Sequence, residues 1–250
     1  MKKIFQILSI LLIISACSSD SATTQDTTSN SEASGQGGSL AKFIIKGDYL
    51  YAVDYSYLNV FNISDQTNPV KVNEVYIGFD IETLFGYKDY LYIGSQLGMY
   101  IYEITDPEMP NYLSDVQHFT ACDPVVANDT HAFVTLHSNE FCGNDVNILE
   151  IYDVTNTQNP VWVSTRELTQ PKGLGLYGDY LFVCDDEIKV FDVSDPKRSN
   201  FVTSINKEAF DVIIHNDLLI AIAEDGLYQY QLHNSLEDGL NISVWSEVIF

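Results

Sequence analysis

The sequence predicts an all-β protein: a β-propeller of five four-stranded blades, preceded by a signal peptide and a disordered tether. Three observations predict it. A six-residue template, apolar–any–apolar–aromatic–any–apolar, occurs five times, as Leu58 to Ile63, Met99 to Ile104, Leu149 to Val154, Ile188 to Val193 and Leu227 to Leu232. Its alternation and β-rich composition argue for strands. Upstream of each copy lies a second apolar run entered through a turn, at Gly47-Asp48, Lys88-Asp89, Asn128-Asp129, Gly178-Asp179 and Asn216-Asp217. Finally, the template aromatics Phe61, Tyr102, Tyr152, Phe191 and Tyr230 recur after 41, 50, 39 and 39 residues. A period of about 40 to 45 residues with four strands is that of a propeller blade. A β-solenoid needs a shorter period, and helical repeats need a 3.6-residue pattern that is absent.

Taken in order, the chain opens with Met1-Lys2-Lys3, a positive n-region, and the apolar run Ile4 to Ile14. That run is too short to span a membrane and has the size of a signal peptide. It ends in Ser15-Ala16-Cys17, which resembles a bacterial lipobox. The resemblance implies removal of residues 1–16 and a lipid anchor on Cys17, with several acyl chains for stable membrane binding. Residues 17–39 are the expected tether, because a Ser/Thr/Gly-rich stretch cannot bury enough apolar surface to fold. Asp20-Ser21-Ala22 and Asp26-Thr27-Thr28 resemble a bacterial O-glycosylation pattern.

Residues 40–250 suit one domain. The blades divide as Leu40–Ile77, Gly78–His118, Phe119–Glu167, Leu168–Asn206 and Lys207–Phe250. Four residues after each template aromatic stands Asp65, Asp106, Asn156, Asp195 or Asn234, and Pro69, Pro110 and Pro160 follow in the first three copies. Such residues cap their own backbone and end a turn.

The 35 acidic and 12 basic residues give a net charge of −23. A surface of that sign is repelled by phosphate backbones, which argues against nucleic acid as a partner. It leaves open either plain solubility or attraction for cations and basic partners.

Gly178-Asp179-Tyr180-Leu181-Phe182-Val183 and Ile188-Lys189-Val190-Phe191-Asp192-Val193-Ser194-Asp195-Pro196 resemble the LVIVD repeat. Gly47 to Ala52, and Asp153 to Asn156 with Pro160, are similar. The resemblance spans about Phe43 to Leu232 and departs most in the fifth copy, at Tyr228-Gln229-Tyr230-Gln231. It implies a propeller of the bacterial cell envelope, outer membrane before inner, and no catalytic residues.

One face of such a ring carries the regular turns. The other carries connections that differ between blades, where binding residues concentrate. The longest is Leu136 to Asn147, about nine residues beyond its counterparts. Cys142 lies there and Cys122 near the start of the same blade, so a Cys122–Cys142 disulfide is favoured in an exported protein, with reduced thiols the alternative. Cys184 falls in a strand-interior column and reads as a small buried hydrophobe. Candidate binding residues on this face are Tyr55, Tyr57, Asp123, His137, Asp185, Asp211 and Glu224. Aromatic and carboxylate side chains together suit a glycan or a peptide.

No phosphate loop, zinc-type histidine spacing, calcium loop or nucleophile elbow is legible. No cofactor or metal is expected, although His118 and His137 leave a metal pair open. Two classes of function follow. The preferred one is a lipid-anchored binding module with a protein or glycan partner. The alternative is an envelope glycosidase, for which Asp123 and Asp211 are the aligned carboxylates at the axis.

Overall fold

The computed structural model describes residues 34–35, 37–118, 124–138, 146–235 and 239–250. These residues contain no helix and form five antiparallel sheets. Blade 1 is β1 (Ser34–Gly35), β2 (Phe43–Lys46), β3 (Tyr49–Val53), β4 (Tyr57–Asn62) and β5 (Val70–Tyr76). Blade 2 is β6 (Ile81–Tyr87), β7 (Tyr90–Ser95), β8 (Gly98–Glu103) and β9 (Asn111–Gln117). Blade 3 is β10 (Val125–Ala127), β11 (His131–Leu136), β12 (Ile148–Asp153) and β13 (Val161–Glu167). Blade 4 is β14 (Leu174–Tyr177), β15 (Tyr180–Cys184), β16 (Ile188–Asp192) and β17 (Asn200–Ile205). Blade 5 is β18 (Asp211–His215), β19 (Leu218–Ala223), β20 (Gly226–Ser235) and β21 (Gly239–Ile249). The five-bladed propeller expected from the repeat is therefore the architecture observed.

The repeat works through its turns. At the first hairpin, Gly47, Lys88, Gly178 and Asn216 all take positive φ, between 49 and 57°. Glycine and asparagine suit that left-handed geometry. Each following loop is tied to the template strand by the same bond. The amides of Ile63, Ile104, Val154, Val193 and Leu232 donate to the carbonyls of Asp48, Asp89, Thr130, Asp179 and Asp217, each at 2.8 Å. Asp65, Asp106, Asn156 and Asp195 accept from the amide two residues on, at 3.0 to 3.2 Å, as the turn reading required.

A feature the repeat did not reveal is a bulge at one position of every outer strand. Register shifts leave Val72, Leu113, Val163, Val202 and Trp245 without a cross-strand partner. Bulges bend and blunt the exposed edge of each blade.

The core lies between blades. Blade 1 seals against blade 2 through Tyr51, Val53, Leu58 and Val60 on one side and Leu84, Leu91, Ile93 and Tyr102 on the other. Similar buried clusters seal blade 2 to 3, 3 to 4 and 4 to 5. Outer strands are also stitched to the turn of the next blade. Asn73 Nδ2 donates to the Glu108 carbonyl at 2.7 Å, and the Ser114 and Ser164 hydroxyls donate to the Thr157 and Pro196 carbonyls at 2.6 Å.

Blade 5 shares no such buried cluster with blade 1 among the described residues. Its outward face, Ile220, Ile222, Leu227 and Gln229, is only half-buried, and on blade 1 Phe43 and Ile45 are exposed. Ser246, which occupies the stitch position, donates within its own blade to Gln229 at 2.7 Å.

This seam is bridged at the axis by residues assigned above to the tether. Ser34 and Gly35 pair with Lys46 and Ile45, giving blade 1 a fifth strand. Ser39 is fully buried. Its hydroxyl donates to Asp211 Oδ1 at 2.9 Å and accepts from the Leu174 amide at 2.7 Å. The Leu40 amide donates to Asp211 Oδ2 at 3.1 Å. Ser34, Gly35 and Ser39, within the expected tether, thus make contacts with the blades. Gly37 and Ser39 also wall an axial cavity of about 290 Å³, lined by the inner strands of blades 2 to 5.

Candidate functional site

The variable face has one concentrated feature. Four aromatic side chains come together at the edge between blades 1 and 2: Tyr55, Tyr57, Tyr76 and Phe79, exposed by 63, 38, 52 and 59%. Tyr57 and Tyr76 meet edge to face with centroids 5.5 Å apart, and Tyr76 and Phe79 do so at 5.9 Å. Register explains the first pair, because Tyr57 stands opposite Tyr76 across β4 and β5.

The supporting backbone is held firmly. The Asp54 carboxylate accepts from the amides of Ser56 at 2.9 Å and Tyr57 at 2.8 Å, and from Asn59 Nδ2 at 3.2 Å. These bonds, the Ser56 amide's foremost, hold the Asp54 pKa below the usual carboxylate range. The connector between β5 and β6 is laced to this loop. Ile77 N donates to Ser56 O at 2.9 Å, and Ile81 N to Tyr55 O at 3.2 Å. Gly78 passes so close to Tyr100 that an added Cβ would sit 2.9 Å from its hydroxyl. A side chain at position 78 would therefore crowd Tyr100, and Phe79 follows directly. Asp80, at φ 57°, accepts from the Tyr55 hydroxyl, and this bond with the carboxylate's charge raises the Tyr55 pKa. The patch therefore combines four exposed rings with two carboxylates on a backbone fixed by cross-loop bonds.

The sequence candidates divide. Tyr55 and Tyr57 are in the patch. Glu224 is exposed, next to Asp225, which pairs with Lys207 at 3.1 Å. Lys207 also lies 3.9 Å from the centroid of the Tyr228 ring. Lys207, Glu208, Phe210, Glu224 and Asp225 line a second hollow of about 310 Å³. His137 is half-buried at the end of β11.

Two candidates are corrected. Asp185 is buried, accepting from the Thr169 amide at 3.0 Å and from Lys189 Nζ at 2.7 Å. It also accepts from the Gln170 amide. It is a structural anchor for the β13–β14 connector, because a buried carboxylate persists only when its charge is satisfied. Asp211 is likewise taken up by Ser39, Leu40 and Val212. Burial raises its pKa against the opposing pull of those bonds. Both its oxygens are committed to the lead-in segment, so the glycosidase alternative loses one of its two carboxylates.

Asp123, Cys122, Cys142 and Cys17 lie outside the described residues. Cys184 is buried and free, as its column predicted. Burial pushes its thiol pKa well up. Among the described residues no group of three or more histidine, cysteine or acidic side chains stands together as metal ligands. Tyr76 and Phe79 were missed from sequence, because both sit outside the repeated template.

Residues 37–76 and 172–207, in blades 1 and 4, match the LVIVD repeat. No curated protein matches the chain. Among solved structures, a protein from Lactobacillus plantarum superposes with a TM-score of 0.64 at 14% identity, over 80% of this chain and 67% of that one. A functionally unknown protein from Desulfotomaculum acetoxidans gives 0.65 at 9% identity, over 86% of this chain and 68% of that one. A hypothetical selenium-binding protein from Sulfolobus tokodaii gives 0.55 at 9% identity, over 81 and 61%. At such low identities these likenesses speak for the fold alone.

Proposed function

We propose that the chain is a binding module of the bacterial cell envelope, anchored by lipid on Cys17 and engaging a protein or glycan with the variable face of its propeller. The observation that carries this reading is the rigid patch of Tyr55, Tyr57, Tyr76 and Phe79. Exposed aromatics on a fixed backbone lose little freedom on binding and dominate interface energetics. The opposite face repeats nearly identical turns, as folding alone requires. A Cys122–Cys142 disulfide would tie the long blade-three loop to its blade, adding about 3 kcal/mol in the chain-entropy model.

The test is capture from detergent-solubilised envelope by the wild type and by a variant carrying alanine at all four aromatic positions. The variant should lose the captured component, while Asp106→Asn on the opposite face keeps it. Reproducible glycoside hydrolysis by the wild type, abolished by Asp123→Asn, would replace this reading with the enzyme. Cys17→Ser should leave the precursor uncleaved or release the protein from membranes. Normal processing and retention would remove the anchor from the proposal.

A further inference from the structure

We infer that the aromatic patch between blades 1 and 2 is a cation-accepting surface whose partner is a basic protein segment, engaged through arginine side chains stacked on its rings. This inference rests on the binding-module reading and deepens it.

The rings supply the first argument. Guanidinium groups bind aromatic faces within about 6 Å, and arginine does so more often than lysine. Edge-to-face packing of Tyr57 on Tyr76 and of Tyr76 on Phe79 leaves the rings at 69 and 79° to one another. They form a stepped surface rather than a flat platform. A flat pyranose would meet one ring at a time, whereas guanidinium planes can seat against successive steps.

Charge supplies the second. Asp80 follows Phe79 directly and hydrogen bonds Tyr55, and Asp54 anchors the loop that carries both Tyr55 and Tyr57. Lys71, the cation whose charge reaches Asp54, is paired with Glu74. The chain as a whole carries −23, which draws a basic partner in and repels a second copy.

The protein itself contains the chemistry in miniature. Lys207 sits over Tyr228 at 3.9 Å while pairing with Asp225 at 3.1 Å, and Arg166 lies over Phe191 at 4.9 Å. At the patch the rings and the carboxylate are present, and exposure leaves room for the cation to come from outside.

The test titrates the purified mature protein with a capped Gly-Arg-Gly-Arg-Gly peptide, its lysine and citrulline counterparts, and cellohexaose. Binding is read by calorimetry and by chemical shifts of the patch. The arginine peptide should bind most tightly and weaken as salt is raised, and the uncharged citrulline peptide should bind least. Tyr76→Ala and Phe79→Ala should each weaken it about two- to fivefold, the range an exposed cation–π contact supplies. Tyr55→Ala, at a ring 63% exposed, should weaken binding similarly while its melting curve stays close to wild type. Asp80→Asn should flatten the salt dependence, and Asp106→Asn should change nothing.

Equal binding of the arginine and citrulline peptides overturns the inference. So does binding that all ring variants retain, since bulk charge alone would then account for it. If no peptide binds while the four-alanine variant still loses its envelope component, the cationic partner falls and the binding-module reading stands. If that variant also keeps its component, both fall.

Discussion

Asp185 and Asp211 lie at equally suggestive places in the sequence, and both turn out to be structural. In each, buried carboxylate oxygens collect backbone amides from a connector. Sequence columns place such residues on a face but do not say whether a neighbouring loop folds over them. Asp185→Ala should destabilise the fold by about 3 kcal/mol, because two amides and Lys189 lose one shared acceptor. It should leave binding at the aromatic patch unchanged. Urea titration with a parallel peptide titration checks both halves, and a binding loss without a stability loss would return Asp185 to the site. Glycines were easier to read. Gly178 takes φ of 57° with nothing within 4 Å of an added Cβ, so Gly178→Ala isolates backbone strain. The expected cost is about 1–2 kcal/mol. Thermal melts should show a drop of roughly two to eight degrees.

Strands and hairpins were legible because each is local: the template period names the strand, and Gly-Asp or Asp-x-x-x-Pro names the turn. Connectors between blades were not, and the patch depends on one of them. Phe79 has no counterpart in the template, and it stands in the patch through its contact with Tyr76 and a connector that passes close to Tyr100 of blade 2. Only a tertiary contact decides that. The stitches across blade boundaries have the same character. Asn73, Ser114 and Ser164 occupy one structural column, two residues before or after unremarkable strand positions. Ser164→Ala should remove a bond shared between blades 3 and 4 and cost about 1 kcal/mol. Amide exchange should rise in β13 and in the turn around Pro196, with β3 and β4 unaffected.

The departure of the fifth copy gains a physical meaning at the scale of the ring. Gln229 stands where the other copies carry Val60, Ile101, Ile151 and Val190, all buried between blades. No buried cluster lies beyond its blade face among the described residues. Ser246 bonds that glutamine instead of crossing to blade 1. The last blade therefore sets one polar residue, Gln229, among Ile220, Ile222 and Leu227 on this half-buried face, and the lead-in through Ser39 and Leu40 reaches Asp211 at the axis. Asp211 is the centre of that contact. Asp211→Ala strands the buried Ser39 hydroxyl and should loosen the seam without loosening the four sealed boundaries. Hydrogen exchange should then accelerate at Leu40 and Leu174, and protease should cut near residues 37–41, while β7, β11 and β15 stay protected. Equal exchange in variant and wild type would mean the seam is held by something else. The pH dependence has a definite sign. Burial raises the Asp211 pKa above its value of 3.8 in an unfolded chain, so the folded ring prefers the protonated acid. The contribution of this group is fully present below that unfolded value and is lost as pH rises through the raised one. Asp211→Asn cannot ionise, so its melting temperature should improve relative to wild type as pH increases from about 3.5 to neutrality. Paired melting curves across that range read the difference directly, and a gap that is constant with pH would show that the carboxylate carries no such burden.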